Sequence, residues 1–141
     1  MTASANKRLM QELLAKAAAG DRAAYVAAIA DDVTMVITGQ YSWSQTIRSK
    51  ETLLRNLHGH LNSLLAEGRR AIPLRFIADD DLVVVEAKGE MRTRAGRPYN
   101  NDYCLIYRLH EGRIVEIREY CDSALTEAVL GPFPAALKQT G

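Results

Sequence analysis

Residues 99–122, YNNDYCLIYRLHEGRIVEIREYCD, hold two strand-length runs joined by a turn, and this stretch decides the fold class. Tyr99 to Leu109 is rich in aromatic and aliphatic residues, His110-Glu111-Gly112 makes a tight hairpin turn, and Arg113 to Asp122 runs back. Alternation along the second run puts Val115, Ile117, Glu119 and Cys121 on one face, with Glu116, Arg118 and Tyr120 on the other. The first of these faces is apolar apart from Glu119, so it is expected to point inward and to carry that carboxylate into a core or cavity.

The same pattern extends upstream. Ala71 to Ala78 reads as a strand that Pro73 marks as an edge. The acidic turn Asp79-Asp80-Asp81 leads into Leu82 to Arg94, and Ala95-Gly96-Arg97-Pro98 turns the chain into Tyr99. The first half is helical. Leu9, Met10, Leu13, Leu14 and Ala17 recur at helical spacing before the stop at Gly20. Asp21 is positioned to cap a second helix bearing Tyr25, Val26 and Ile29. Val33 to Thr38 is a β-branched run, a first strand, and residues 39–49 are a polar loop. Ser49 caps a third helix with a stripe of Leu53, Leu57, Leu61 and Leu64, widened by Leu54 and Leu65, that ends at Gly68. A short helix follows around Ser123 to Leu130. Helices first and an antiparallel meander after them give an α+β fold, expected as one domain over 1–141.

Composition narrows the function classes. The chain has 141 residues, 48% apolar and 25% charged, with a formal net charge of +1. Its arginines are interleaved with acids, so the basic footprint of a nucleic-acid binder is absent. Lys7 and Arg8 precede a segment broken by Gln11, Glu12 and Lys16, which does not read as a leader, and no apolar run is long enough to span a bilayer. Cys104 and Cys121 are too few for a disulfide framework and read as free thiols, so the cytoplasm is the expected compartment.

Several residues are candidates for chemistry. An unpaired buried Glu119 would have its pKa raised, which suits a general acid or base; a structural ion pair is the alternative. The preceding strand puts Asn101, Tyr103, Leu105 and Tyr107 on one face, where Asn101 and Tyr103 either line a pocket for a mostly apolar ligand or simply pack and cap. From Leu82 to Arg94 the odd positions are apolar and the even ones, including Glu86, Lys88, Glu90 and Arg92, are charged. Alternation makes the even face a solvated ladder, whereas a bulge at Gly89 would turn part of it inward. His58 and His60 cannot share an ion, since residues two apart on a helix diverge, and no metal site is expected. His60 adjoins the apolar stripe and either faces the pocket or packs in the core. Trp43 either lids a pocket or anchors its loop.

The element order, with Gly20-Asp21-Arg22 at a helix junction, Ala30 to Thr34 before the first strand, and the run from Gly96 to Asp122, resembles the nuclear transport factor 2-like superfamily, particularly its SnoaL-like and ketosteroid isomerase-like branches. The resemblance covers nearly the whole chain. It implies a cone-shaped, curved, mainly antiparallel sheet with three helices of the N-terminal half on its concave face, no cofactor, and a homodimer. Ketosteroid isomerases carry a base on the first strand, where this chain has Met35-Val36-Ile37. The spacing of limonene epoxide hydrolases implies instead a charged set of Glu90, Lys88 and Glu119, each keeping its charge sign but changing residue type. The same likeness turns His60, Asn101, Tyr103 and Cys121 toward the cavity; Trp43 of the loop and Leu64 of the leucine stripe are expected as further ligand contacts.

Three functions are compatible with these residues. One is an isomerase, cyclase or epoxide hydrolase-type enzyme acting on a small apolar molecule, with Glu119 and Glu90 sharing proton transfer, Lys88 holding one of them ionised, and His60 as auxiliary. The second is a ligand-binding module in which Glu119 pairs with Lys88. The third is a dimeric interaction domain. Convergence of Glu90 with Glu119 inside a pocket would favour the enzyme; an outward-facing Glu86, Lys88, Glu90 and Arg92 would favour the others.

Overall fold

Hydrophobic periodicity switches from helical to alternating near residue 70, and the architecture follows that switch. The structure, a computed structural model, describes residues 1–138, so the last three residues of the expected domain lie outside the described residues. Helix α1 (Ala3–Ala18) starts where Thr2 accepts a hydrogen bond from the Ala5 amide, and it buries Met10 and Leu13. Gly20, at φ 101°, turns the chain as a residue with a Cβ could not easily do. Asp21 accepts from the Ala23 amide at 3.1 Å and leads into α2 (Ala23–Ala28).

Strand β1 (Ile29–Ile37) begins four residues earlier than the β-branched run alone suggests, because Ile29 pairs with the last strand and is fully buried. The polar loop contains a short strand, β2 (Gln45–Ile47), invisible in the polar sequence and anchored by the buried Ile47. Helix α3 is capped by Ser49, which accepts from the Thr52 amide, and runs through Lys50–Thr52, a π-helical turn Leu53–His58, and Gly59–Leu64.

The second half is the expected meander: β3 (Arg70–Asp79), β4 (Leu82–Glu90), β5 (Asp102–His110) and β6 (Arg113–Cys121), followed by α4 (Ser123–Leu130) and a 3₁₀ turn at Ala135–Leu137. The strands form one six-stranded sheet in the order β2-β1-β6-β5-β4-β3, antiparallel throughout except for β1 beside β6. Pro73 lies on the edge strand β3, as its missing N–H requires. Helix α1 packs across β3 and β4. The core is a continuous cluster joining Met10 and Leu13 of α1 to Val83, Val85, Tyr107, Ile114 and Ile117 of the sheet. The fold is thus the expected curved α+β cone.

Register settles the questions that alternation left open. In β4 the odd residues Val83, Val85 and Ala87 are buried and the even face is solvated, where Glu86 pairs with Arg75, Lys88 with Asp102, and Glu90 with Arg70. Gly89 continues the ladder opposite Ala71, and the irregularity falls between Pro73 and Arg75 instead. A Cβ at Gly89 would stand 3.2 Å from the Tyr103 ring and 3.3 Å from the Asn101 amide nitrogen, so glycine here serves close packing. In β6, by contrast, Arg108 pairs with Glu116 and Leu109 with Ile114, leaving Val115 as the extra residue. That bulge buries Ile114 in the place alternation assigned to Val115, while Ile117 and Glu119 keep the inward face.

Candidate functional site

Between the concave sheet face and the helices lies a cavity of about 200 Å³. The sheet supplies its floor: Met35 and Ile37 from β1, Leu105 and Tyr107 from β5, and Ile117 and Glu119 from β6. Helix α3 supplies Leu53, Leu57, His58 and Leu61, with Leu65 beyond its end. An undistorted α-helix would return Leu64 to this stripe. The wider π turn, in which the Gly59 amide bonds the Leu54 carbonyl, delays the phase so that Leu65 takes the place expected of Leu64. Leu64 packs against the core and is not in the lining.

Glu119 is the only carboxylate among the described residues that line the cavity. Its backbone is fixed by Thr38, whose amide and hydroxyl both donate to the Glu119 carbonyl, at 3.1 and 2.8 Å. Its carboxyl is largely withdrawn from bulk water, borders the cavity, and has no ion-pair or hydrogen-bond partner among the described residues. Burial alone pushes its pKa up from 4.5 to about 7, because the ionised form has lost water and gained no cation in return.

Tyrosines surround it. Tyr25 and Tyr107 meet hydroxyl to hydroxyl at 3.2 Å with their rings edge-on, and the Tyr41 hydroxyl meets the Cys121 thiol at 3.4 Å. Burial raises the pKa of Tyr25, Tyr41, Tyr103 and Tyr107, and the nearby Glu119 charge raises each further, so all four stay protonated. The wall around the carboxyl is therefore a set of neutral hydroxyl donors among apolar side chains.

The expected site residues separate into three groups. Glu119, Tyr103 and Trp43 line the cavity. Trp43 also anchors its loop, since its indole donates to the Gly131 carbonyl at 2.9 Å and packs on Phe133. Asn101, Cys121, His60 and Leu64 lie one layer behind. Asn101 is fully buried and uses its whole amide: the nitrogen donates to Tyr99, Thr126 and the Asp122 carbonyl, and the oxygen accepts from the Asp102 and Asp122 amides. It pins β5 to the start of α4. Cys121 sits behind Tyr41 and Thr126. His60 packs against both Trp43 and Phe133 with its Nε2 buried and unpartnered, and burial lowers its pKa. Lys88 and Glu90 form the third group and correct the expectation outright. Both point out of the cone, in exposed pairs with Asp102 at 3.0 Å and Arg70 at 3.4 Å, because β4 keeps its alternation through Gly89. The epoxide hydrolase-like set does not assemble, and Glu119 does not pair with Lys88 either.

Alternation did not single out the mouth of the cavity, where Arg22, Arg69 and His58 converge from a helix junction, a loop and α3. Only folding brings them together. The aromatic wall was more legible: Tyr107 shares the face of Tyr103, and Tyr25 the apolar face of α2. Among the described residues no group of three or more His, Cys, Asp or Glu side chains is placed to hold a metal ion, and no helix is long and apolar enough to cross a membrane.

Comparison with known proteins agrees with this architecture. A family model described as a SnoaL-like domain matches residues 10–117. Among solved structures, an NTF2-like protein from Burkholderia thailandensis E264 superposes with a TM-score of 0.76 at 20% identity, covering 94% of this chain and 100% of that one. An NTF2-like protein of unknown function from Burkholderia pseudomallei K96243 gives 0.75 at 21% identity, with coverage of 92% and 98%. A putative SnoaL-like polyketide cyclase from Jannaschia sp. CCS1 gives 0.71 at 11% identity, with coverage of 92% and 93%. No curated protein resembles the chain closely enough in sequence to count as a match.

Proposed function

The chain belongs to the SnoaL-like domain family, and from that premise we propose that it is an isomerase- or cyclase-type enzyme that moves a proton on a small, largely apolar molecule through Glu119. One observation carries this reading: an unpaired carboxyl opening onto the cavity, with a pKa of about 7. Near neutrality such a group is divided between its two forms, the condition under which it both takes and returns a proton efficiently. A C–H beside a carbonyl is the fitting target. As Glu119 removes that proton, negative charge develops on the carbonyl oxygen, and the protonated Tyr25–Tyr107 or Tyr103 hydroxyls are the available donors to it. Met35, Ile37, Leu53 and Leu105 keep the chamber apolar, which strengthens those hydrogen bonds. The scheme asks for no cofactor and no second acid. The solved neighbour named as a SnoaL-like polyketide cyclase supports this class of chemistry, and cyclic and aromatic ketones, which carry such a C–H, are the substrates to try.

The test is α-proton exchange. A panel of such ketones is incubated with the protein in heavy water and followed by NMR, with Glu119→Gln as the comparison. Exchange is expected with the wild-type chain and is expected to fall by about 100-fold or more in the variant, with binding retained. A second reading, a binding module in which Glu119 orients the ligand, is favoured by the lack of a second lining carboxylate among the described residues. Ketones that bind both proteins without exchange would establish that reading and overturn proton transfer.

A further inference from the structure

At the cavity mouth, Arg22 and Arg69 line both the main chamber and an adjoining recess formed with Gly68, Asn62 and Arg94. Neither guanidinium makes an ion pair or a hydrogen bond among the described residues, although every other arginine around the recess has a partner: Arg70 pairs with Glu90, and Arg94 donates to the Asn62 carbonyl. Glu67 borders the same recess but pairs with neither. Two like charges are thus held together, Arg69 half-buried, with no counter-ion. Their charges also act on the groups around them. Arg69 is lowered to about 10, by burial first and then by Arg22, and His58 is lowered to about 4, by burial first and then by both arginines. An anion seated between them would offset that repulsion.

We propose that Arg22 and Arg69 clamp an anionic group, carboxylate or phosphate, at one end of the ligand, so that the molecule this cavity takes is an amphiphilic acid with its apolar body against Leu53, Leu57 and Leu105. This rests on the proposed function only in seating the ligand body in the same chamber. The arginines line both the chamber and the recess, so the acid group sits where the two meet while the body reaches toward Glu119. That order also keeps the ligand's negative charge away from the Glu119 carboxylate, which would repel it.

Isothermal titration of the full chain tests this with 4-phenylbutyrate, its methyl ester, 4-phenylbutyl phosphate and inorganic phosphate, at low and at physiological ionic strength. The carboxylate or the phosphate monoester is expected to bind about tenfold or more tightly than the uncharged ester, with the advantage reduced by salt. Arg69→Gln and Arg22→Gln are each expected to remove that advantage while the ester still binds, and a cooperative urea transition shows that the variants are folded. The better of the two charged probes identifies the acid. Equal binding of acid and ester, no binding of the acids at millimolar concentration, or loss of acid and ester alike in the variants overturns the clamp. Inorganic phosphate that binds without competing with the phenylalkyl acids overturns it too, since the anion would then not belong to the ligand. Glu119→Gln separates the two proposals. An arginine-dependent acid preference that survives in that variant, with wild-type turnover also unchanged, sinks proton transfer and leaves the clamp standing. Turnover of neutral ketones that needs Glu119 but shows no acid preference does the reverse.

Discussion

Replacing Glu119 with glutamine should turn a nearly flat pH–stability profile between about pH 4.5 and 6.5 into one that rises with pH. The carboxyl has a pKa of about 7 in the folded chain and 4.5 as an ordinary glutamate. Its folded pKa is raised, so between these values the folded state holds a proton that the unfolded state has lost, and stability falls as pH rises. At about 1.4 kcal/mol for each unit of pH between 4.5 and about 7, the full loss is about 3 kcal/mol, complete above pH 7 and absent below 4.5. His58 works in the opposite sense. Its folded pKa is lowered from 6.5 to about 4, so the unfolded chain takes up a proton that the folded chain refuses. The resulting loss grows as pH falls from 6.5 toward 4, also by about 3 kcal/mol in full. The two slopes overlap and offset each other in the wild-type chain between about pH 4.5 and 6.5. Urea unfolding of wild type and Glu119→Gln, at fixed protein concentration from pH 4 to 8.5, reads the difference directly, because His58 contributes equally to both. The variant should gain about 3 kcal/mol on wild type between the acidic and alkaline ends, whatever constant offset the amide introduces. A difference that is flat with pH would mean that the carboxyl is hydrated or paired, and the argument for an unpaired buried acid would fail.

Two further outcomes follow from the packing. Gly89→Ala forces a methyl group against the Tyr103 ring and the Asn101 backbone, and is expected to cost about 1–2 kcal/mol in urea unfolding and to weaken cavity probes; an unchanged midpoint and affinity would show that the ring is free to move. On the outer sheet face, Ile77, Val84, Ile106 and Val36 fall in one cross-strand row interrupted only by Arg118, with Ile77 53% exposed. A second copy of the chain is the expected cover. Light scattering after gel filtration should give the mass of two chains for wild type and one for Ile106→Lys, and a wild-type monomer at all concentrations would leave the row as plain solvent face.

How far the sequence reached depended on what each conclusion needed. Element types needed only local periodicity and caps. The early start of β1 at Ile29, the π turn and Thr38 through Ile47 aside, the helices, the meander, the Ser49 cap and the span of α4 all follow from residues within a turn of one another. The inward direction of Glu119 was legible for the same reason, since Ile117 and Cys121 flank it at a spacing of two on a strand whose bulge lies earlier, at Val115. Where the resemblance set Lys88 and Glu90 inside and simple alternation set them outside, alternation prevailed, because no bulge interrupts β4 at Gly89. Burying both charges would have cost more than their partners return.

What only the tertiary structure decided is which inward residues reach the cavity and which stop behind it. Asn101 and Tyr103 share one strand face, yet α4 closes over Asn101 and consumes its amide, whereas Tyr103 looks into the open chamber. A π turn, not legible in the leucine spacing, exchanged Leu64 for Leu65. The meeting of Arg22, His58 and Arg69 depends on contacts between segments far apart in the chain, and no local pattern encodes it. Periodicity determines the face of a residue; the depth at which it lies, and the charge it meets there, are set by what folds across it.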